Sequence, residues 1–384
     1  MKFRFINGLS DISPSDWDRL RPSDYPFLSS GFLGALETSG CVGGDSGWTP
    51  MHLVGESAGE LQLVLPLYIK DHSYGEYVFD WQWARAYETH GRRYFPKLLS
   101  AIPFTPAAGP RVLAKQPLDD STLNAMLDHI ANFSAEKSLS SWHMLFPDSE
   151  LQQIISGNNR MLERNDVQFH WKNDGYKEFN DFLAPFRSSK RKQIRRERRK
   201  VAEQGIILHR KTGPEITETD WQSFYACYKA TYLKRSGHSG YLNWKFFQQI
   251  ARALGDQVMI VFAQKQEQVI ASSLFFFDSD TLYGRYWGTL ADVDCLHFEA
   301  CYYQGIDFAI EKELHRFDPG TQGEHKLVRG FEPTKTYSYH WIADLDFATA
   351  ISNYLVEERS GVQGYKSATE NYLPFRRNSR LPDS

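Results

Sequence analysis

The sequence predicts an α/β (α+β) protein of two tandem domains, each a mixed, mostly antiparallel sheet flanked by helices. Three observations carry this. The chain has 384 residues, long for one core and natural for two domains of roughly 150–200 residues. Its helix and strand patterns run twice through one order: helices, a β-hairpin, a further strand, a helix, a last strand. A strongly basic helix at 187–204 opens the second run, placing the domains at 1–180 and 181–384. No residue-level repeat accompanies the order, so the duplication rests on element order alone.

The elements follow from local pattern. Residues 2–6 alternate as a strand, and Ser13-Pro14-Ser15-Asp16 starts a helix ahead of Trp17 and Leu20. Phe32, Leu33 and Leu36 recur at helical spacing over 30–39. Strands at 51–54 and 61–69 flank a turn at 56–59. A short helix is expected at 94–101, and three prolines keep 102–114 extended. Leu123, Met126, Leu127, Ile130 and Phe133 mark an amphipathic helix over 121–137. A strand at 142–146, a helix at 151–164 and a strand at 167–171 complete the first run. The second has helices at 178–186 and 188–204, a strand at 206–210, and helices at 219–236 and 243–254. Strands at 258–264, 269–277 and 281–287 come next, then a helix at 298–313 and later strands at 316–317 and 337–342. The tail from 343 is helical, and its last ten residues are polar and loose.

Composition narrows the class. Hydrophobic residues are 41% and aromatics 15%, enough for a large core and for the walls of a cleft. Four scattered cysteines without a CxxC pair exclude a disulfide framework, a zinc ribbon and a thioredoxin motif. No signal-like apolar segment and no membrane span is present, so a cytoplasmic location is expected.

The formal charge of −3 excludes a polyanion binder overall, yet 187–200 holds nine Lys or Arg against Glu197 alone. That segment carries +8, leaving −11 for the rest. Ser188 and Ser189 offer capping, Gly205 an exit, and Ile194 and Val201 a narrow apolar stripe. Two readings stand: a solvated helix among acidic neighbours, or a polyanion site using Lys190, Arg191, Arg195 and Arg198. No RNA-module motif accompanies it.

Three stretches could carry chemistry. In 296–309, His297 and Cys301 lie four apart and Glu299 falls on another face. A metal would need further, remote ligands, so none is expected. Glu299 or His297 serves as a general base or as a structural group. In 320–331 (GTQGEHKLVRGF) glycines permit tight turns, while Glu324, His325, Lys326 and Arg329 crowd an acid, an imidazole and two cations. His325 could move a proton and the cations hold an anion; the alternative is a polar loop. In 70–85, His72, Glu76, Asp80 and Arg85 interleave with Tyr74, Tyr77, Trp81 and Trp83, either a polar rim on a core or a cleft. No phosphate loop, nucleophile elbow or HExxH motif occurs.

The ordered blocks PFLSSGFLGALE, PLYIKDHSYGEYVFDWQWARAYE, PFTPAAGPRVL, KRKQIRRERRKV, LYGRYWG, HFEACYYQGIDFAI and GEHKLVRGFEPTKTYS resemble the FemAB-like GNAT family of peptidoglycan biosynthesis or recognition proteins. The resemblance runs from about residue 29 to 341. It implies tandem GNAT-like domains and transfer of an acyl or aminoacyl group to a small-molecule or peptide amine. The donor would be an acyl-CoA or an aminoacyl-tRNA. The family's Lys before Gly-Phe corresponds to Lys326, Gly330 and Phe331, and its basic helix to 189–201. On this reading His325, Glu299 and Glu324 are the catalytic candidates. Lys326, Arg329, Gly330, Phe331, Arg285, Tyr77, Asp80 and Trp81 are the substrate-binding ones. Two departures count against particular donors: 288–296 (GTLADVDCL) lacks the GNAT pyrophosphate loop, and no long coiled-coil arm is visible. A non-catalytic recognition module and a nucleic-acid-interacting protein remain the alternatives.

Overall fold

The computed structural model describes residues 1–321 and 323–376. Contacts divide the chain into two units, 1–166 with 335–363, and 167–334 with 364–384. Where one cut was expected between 180 and 181, the chain crosses three times, and a segment beyond 334 returns to the first unit. The described part of the second unit ends at Arg376, so the tail expectation for 377–384 lies outside the described residues.

The first unit begins with β1 (Lys2–Ile6), α1 (Pro14–Arg19) and α2 (Ser30–Thr38). Both helices start where a serine can cap them. Ser13 Oγ accepts from Asp16 N and Ser29 Oγ from Phe32 N. Then come β2 (Trp48–Pro50), β3 (His52–Ser57), β4 (Glu60–Leu65), β5 (Tyr68–Lys70), α3 (Trp81–Thr89), β6 (Lys97–Ser100) and β7 (Leu113–Ala114). Pro66, which cannot donate to a ladder, lies between β4 and β5, so the strand expected at 61–69 is broken. The helix expected at 94–101 is instead β6. Leu98 and Leu99 are both fully buried, and β6 pairs with β5 and with β8, so tertiary pairing overrides local propensity.

α4 (Asp120–Lys137), β8 (Ser141–Leu145), α5 (Ser149–Ser156) and β9 (Leu162–Lys172) follow. The helix expected through 164 stops at Gly157, and β9 begins five residues later. In the second unit come α6 (Phe179–Leu183), α7 (Ser188–Glu203), β10 (Ile207–Thr212), α8 (Glu218–Ser236), α9 (Trp244–Ala253), β11 (Val258–Lys265), β12 (Gln268–Phe277) and β13 (Thr281–Thr289). α10 (Leu296–Phe298), a π-helical turn (Glu299–Tyr303) and α11 (Gln304–Glu311) run on without a break. β14 (Arg316–Asp318) and a 3-10 turn (Glu324–Arg329) complete the unit, and β15 (Glu332–Ile342) and α12 (Leu345–Glu370) follow.

In the first unit β1, β3, β4 and β7 form one antiparallel sheet. β8 pairs parallel with β6 and antiparallel with β15, while β5 lies antiparallel to both β6 and β2. Strand alternation gives this second sheet two different faces. Leu98, Trp142, Met144 and Tyr339 join Leu123, Met126, Leu127 and Ile130 of α4 in an apolar core. The opposite face carries Lys70, Lys97, Ser141, His143, Ser338 and His340, every one buried.

In the second unit β10, β11, β12 and β13 form an antiparallel meander. β14 joins β13 in parallel and β9 joins β14 antiparallel. α8 crosses β13 at very short range. A Cβ on Gly288 would lie 2.1 Å from the Cys227 carbonyl carbon and 2.3 Å from Tyr228 N, so only glycine admits the helix backbone there.

Candidate functional site

β13 and β14 pair only through Thr281↔Arg316, Leu282↔Phe317 and Tyr283↔Asp318. β13 then continues to Thr289 without that neighbour, so the two strands part beyond Tyr283. The β12–β13 register shifts at this level, with Leu274 opposite Tyr286 and Phe275 opposite Gly284, leaving Arg285 as the bulged residue. A bulge re-aims its side chain. Here the Arg285 guanidinium turns to Asp318 at the end of β14, with Nη2 2.7 Å from Oδ2 and both side chains almost wholly buried. Burial opposes ionisation of Asp318, but Arg285, His170 and the Gly320 N–H hold its carboxyl down to about 2.

Lys326 sits beside this pair on the 3-10 turn. It is 1% exposed, and its Nζ donates to Gly320 O at 2.5 Å. Burial pulls the ammonium down to about 8, Asp318 opposing and Arg285 adding to the shift. Among the described residues Gly320 O is its one acceptor, and an ammonium with one acceptor has donors left for an incoming oxygen.

The remaining charges are locked in two clusters. Glu197 of α7, the lone acid of the basic segment, is turned inward between Ile194 and Val201 and buried with them. It receives Arg329 Nη2 at 2.9 and 3.0 Å, Gln193 Nε2 at 2.9 Å and the Tyr303 hydroxyl. Arg329 also donates to Tyr303 Oη (3.0 Å) and His325 O (2.7 Å), and lies 3.4 Å over the Phe298 ring. Glu299, 4% exposed, receives Arg198 at 3.1 and 3.2 Å and Gln304 Nε2 at 2.8 Å. Arg198 also bonds Asp307 at 2.7 Å. Burial pushes the Glu299 carboxyl up while Arg198 and Gln304 pull it back. Glu299 and Tyr303 begin and end the π-turn, a helix defect that often marks functional sites. Both oxygens of Glu299 are engaged, so the geometry makes it an anchor for α7.

His325 is exposed, and its Nε2 lies 2.9 Å from the Tyr302 hydroxyl. Burial of part of the ring, then Arg329 and Lys326, lower its pKa and keep the imidazole neutral. His297 packs 6.1 Å from it and 5.4 Å from Trp287. Burial, with the charges of His325 and Arg235, takes His297 down to about 3. Burial pushes the Cys301 thiol up. Glu324 is exposed and accepts from Tyr365 Oη at 2.8 Å. Gly330 has φ +87°, and a Cβ there would meet Phe182 and Phe186 at 2.7–2.9 Å, while Phe331 is fully buried against Tyr302 and Phe317. These two set the turn and its floor. Among the described residues no cluster of three or more His, Cys, Asp or Glu could hold a metal, and no disulfide joins the cysteines.

A family model described as FemAB-like, peptidoglycan biosynthesis/recognition, matches residues 8–377. The chain belongs to the FemAB-like family. Among solved structures, FemX matches with TM-score 0.53 at 11% identity, over 92% of this chain and 100% of that one. A conserved protein of unknown function from Bacteroides thetaiotaomicron matches with TM-score 0.51 at 12% identity, over 88% and 99%. A tandem GNAT protein from the clavulanic acid biosynthesis pathway matches with TM-score 0.44 at 10% identity, over 89% and 99%. No curated protein matches the sequence. The fold is shared with FemX and with the Bacteroides thetaiotaomicron protein.

The basic helix of this FemAB-like chain is half neutralised. Beyond Arg198, Arg199 meets Glu203 at 3.3 Å and Lys200 pairs with Asp294. Arg191 donates to Phe186 O, and Arg195 Nη2 to Asn180 Oδ1 at 3.1 Å. Among the described residues no carboxylate pairs with Lys190, Arg191, Lys192, Arg195 or Arg196, so the first half of the helix is its open cationic part. The expected serine cap is not made. Arg187 occupies the N-cap position without a side-chain capping bond, its guanidinium donating instead to Leu373 O, and Ser188 and Ser189 lie inside the first turn.

Tyr77, Asp80 and Trp81 lie in the first unit, and His325, Glu299, Glu324, Lys326, Arg329 and Arg285 in the second. Trp81 is 43% exposed, and Tyr77 adopts φ +64° in the loop before α3. Asp80 is buried and takes the Lys97 ammonium and, at 2.5 Å, the Tyr94 hydroxyl. Lys97 also reaches Glu76 at 2.8 Å and Ser73 at 3.2 Å. Burial raises Glu76 to about 7 and lowers Lys70 to about 7. Sequence reasoning missed Lys97, Glu197, Asp307, Asp318, Tyr302 and Tyr303. Only Glu197 carried a signal, as the one acid among nine cations.

Proposed function

We propose that this FemAB-like chain transfers an acyl or aminoacyl group to an amine, with the chemistry at Lys326 in the second unit. The observation that carries this is the buried ammonium at the mouth of the parted β13 and β14 strands, beside a neutral imidazole. An acceptor amine attacks the donor carbonyl, and the carbonyl oxygen gains charge that Lys326 stabilises. His325, held neutral, takes the proton from the attacking nitrogen. The C–O or C–S bond to the leaving group then breaks, and the proton passes to the departing oxygen or sulfur. Glu197 and Glu299 act through Arg329 and Arg198, holding the turn and α7 in register. The family description supports a peptidoglycan precursor or peptide as the acceptor. An aminoacyl-tRNA suits the open cations of α7 as donor, and acyl-CoA is the second candidate. Among the described residues no helix is long and apolar enough to cross a membrane.

The test is transfer from aminoacyl-tRNA or acyl-CoA to peptide and small amines, scored by mass spectrometry. Transfer that Lys326→Met abolishes and His325→Ala slows about 100-fold supports the reading. Ligand binding without turnover, insensitive to both, would identify a recognition module instead.

A further inference from the structure

The basic helix concentrates positive charge, yet another surface of the second unit joins cations to aromatic rings. Between Trp221 and Gly255 there is no Asp or Glu, while Lys229, Lys234, Arg235, Lys245 and Arg252 fall there. In a chain of net charge −3 that is a long acid-free interval, and it coincides with α8, its exit loop and α9. Tyr225, Lys229 and Tyr232 recur at i, i+4 and i+7, so one face of α8 alternates ring, cation, ring.

The loop adds to that face. Tyr232 lies 4.6 Å from Tyr228, 5.7 Å from His238 and 6.2 Å from Tyr241, and His238 lies 5.4 Å from Tyr241. Trp244, at the start of α9, meets Tyr225 at 5.6 Å. The loop is held against the helix by Gly240, with φ +96°, where a Cβ would fall 2.4 Å from Tyr228 Oη. The same hydroxyl accepts from Leu242 N at 3.2 Å. Tyr225, Tyr232, Tyr241 and Trp244 are only half-buried, and His238, Lys229 and Arg235 are exposed. A core would bury such rings. Arg235 stands close enough to His297 and Cys301 to shift both, so this surface borders the candidate site.

We propose that the α8–α9 surface binds a nucleobase-bearing phosphate ligand, its base stacked on Tyr232 and Tyr241 and its phosphates met by Lys229 and Arg235. Half-exposed rings interleaved with cations serve any base, since every base has a π-face; α8, its exit loop and α9 add no acid of their own over this interval, and the neighbouring Asp292 is taken by Lys234 at 2.8 Å. Two sources share this chemistry, a single-stranded RNA end and the nucleotide portion of CoA. The inference rests on the transfer reading only in taking the ligand to be part of the donor.

The experiment measures binding of a labelled, unstructured RNA oligonucleotide by fluorescence anisotropy, and of CoA by calorimetry, to the full chain. Tyr232→Ala and Tyr241→Ala, with unchanged circular dichroism, are each expected to weaken one of these ligands about 5- to 150-fold. Tyr232→Phe keeps the ring and should retain most of the affinity. Loss for RNA alone assigns the RNA source, and loss for CoA alone assigns the cofactor. Binding of both ligands unaltered by either alanine variant, or no binding of either, overturns the proposal. Lys326→Met separates the two ideas. If no transfer is found with any donor but the ring variants still lose affinity, the transfer reading fails and the stacking surface stands.

Discussion

Replacing Glu197 by Gln tests whether the buried acid of the basic helix holds the site together. Arg329 and Glu197 are 4% and 9% exposed at their side chains and share a two-oxygen contact at 2.9 and 3.0 Å. Removing one charge of a buried pair leaves the other without compensation, at a cost of roughly 3–5 kcal/mol. Gln keeps one acceptor oxygen for Arg329 or Tyr303, which places the expectation near 3 kcal/mol. For a unit of this size that lowers the midpoint of its thermal transition by about 6–12 °C. Arg329→Met should cost a similar amount. The double variant removes both charges, so its loss should fall short of the sum by about 2 kcal/mol or more. Urea and thermal denaturation of all four proteins, followed by tryptophan fluorescence and circular dichroism, complete the cycle. Single losses under about 1 kcal/mol, or a double variant equal to the sum, would refute the argument that this pair anchors the turn.

Three further outcomes are expected. If the Lys326 ammonium stabilises the oxyanion, the transfer rate falls as pH rises through about 8, and Lys326→Arg moves that alkaline limb upward; a flat profile to pH 10 would reject the role. His143 and His340 meet Nδ1 to Nδ1 at 2.5 Å, and burial holds both well below their ordinary value. Below about pH 6.5 the unfolded chain therefore binds more protons than the folded one. Stability of the first unit should fall on acidification by up to about 2.7 kcal/mol per pH unit for two sites, and His143→Gln with His340→Gln should flatten that slope in urea melts at stepped pH. Gly288→Ala places a methyl inside the α8 backbone and should cost about 3 kcal/mol or more, read as lost thermal stability of the second unit.

Much of the scaffold could be read from pattern because its causes are local. The Ser13 signal is a cap, its Oγ accepting from Asp16 N, and the apolar spacing of α4 faces the core. The errors share another cause. Local pattern favours helix over β6 and over the start of β9, because the partners that make them strands are remote in sequence. Lys326 and Arg329 could be chosen from a glycine-flanked turn rich in charge. Their counter-groups Gly320 O, Glu197 and Tyr303 could not, since a hydrogen-bond partner leaves no periodic trace.

The mixed α/β class, the basic helix at Ser188–Glu203 and the charge-rich turn at Glu324–Arg329 could be read from the sequence itself. Each depends on neighbours within a few residues, where propensity, capping and charge density act. Tertiary structure alone decided what those charges do. It turned Glu197 inward to hold Arg329, occupied Glu299 with Arg198, and bulged Arg285 onto Asp318. It also left Lys326 buried, with Gly320 O as its one acceptor among the described residues. Burial and pairing between distant residues set the energy of a charge, and both are properties of the packed fold.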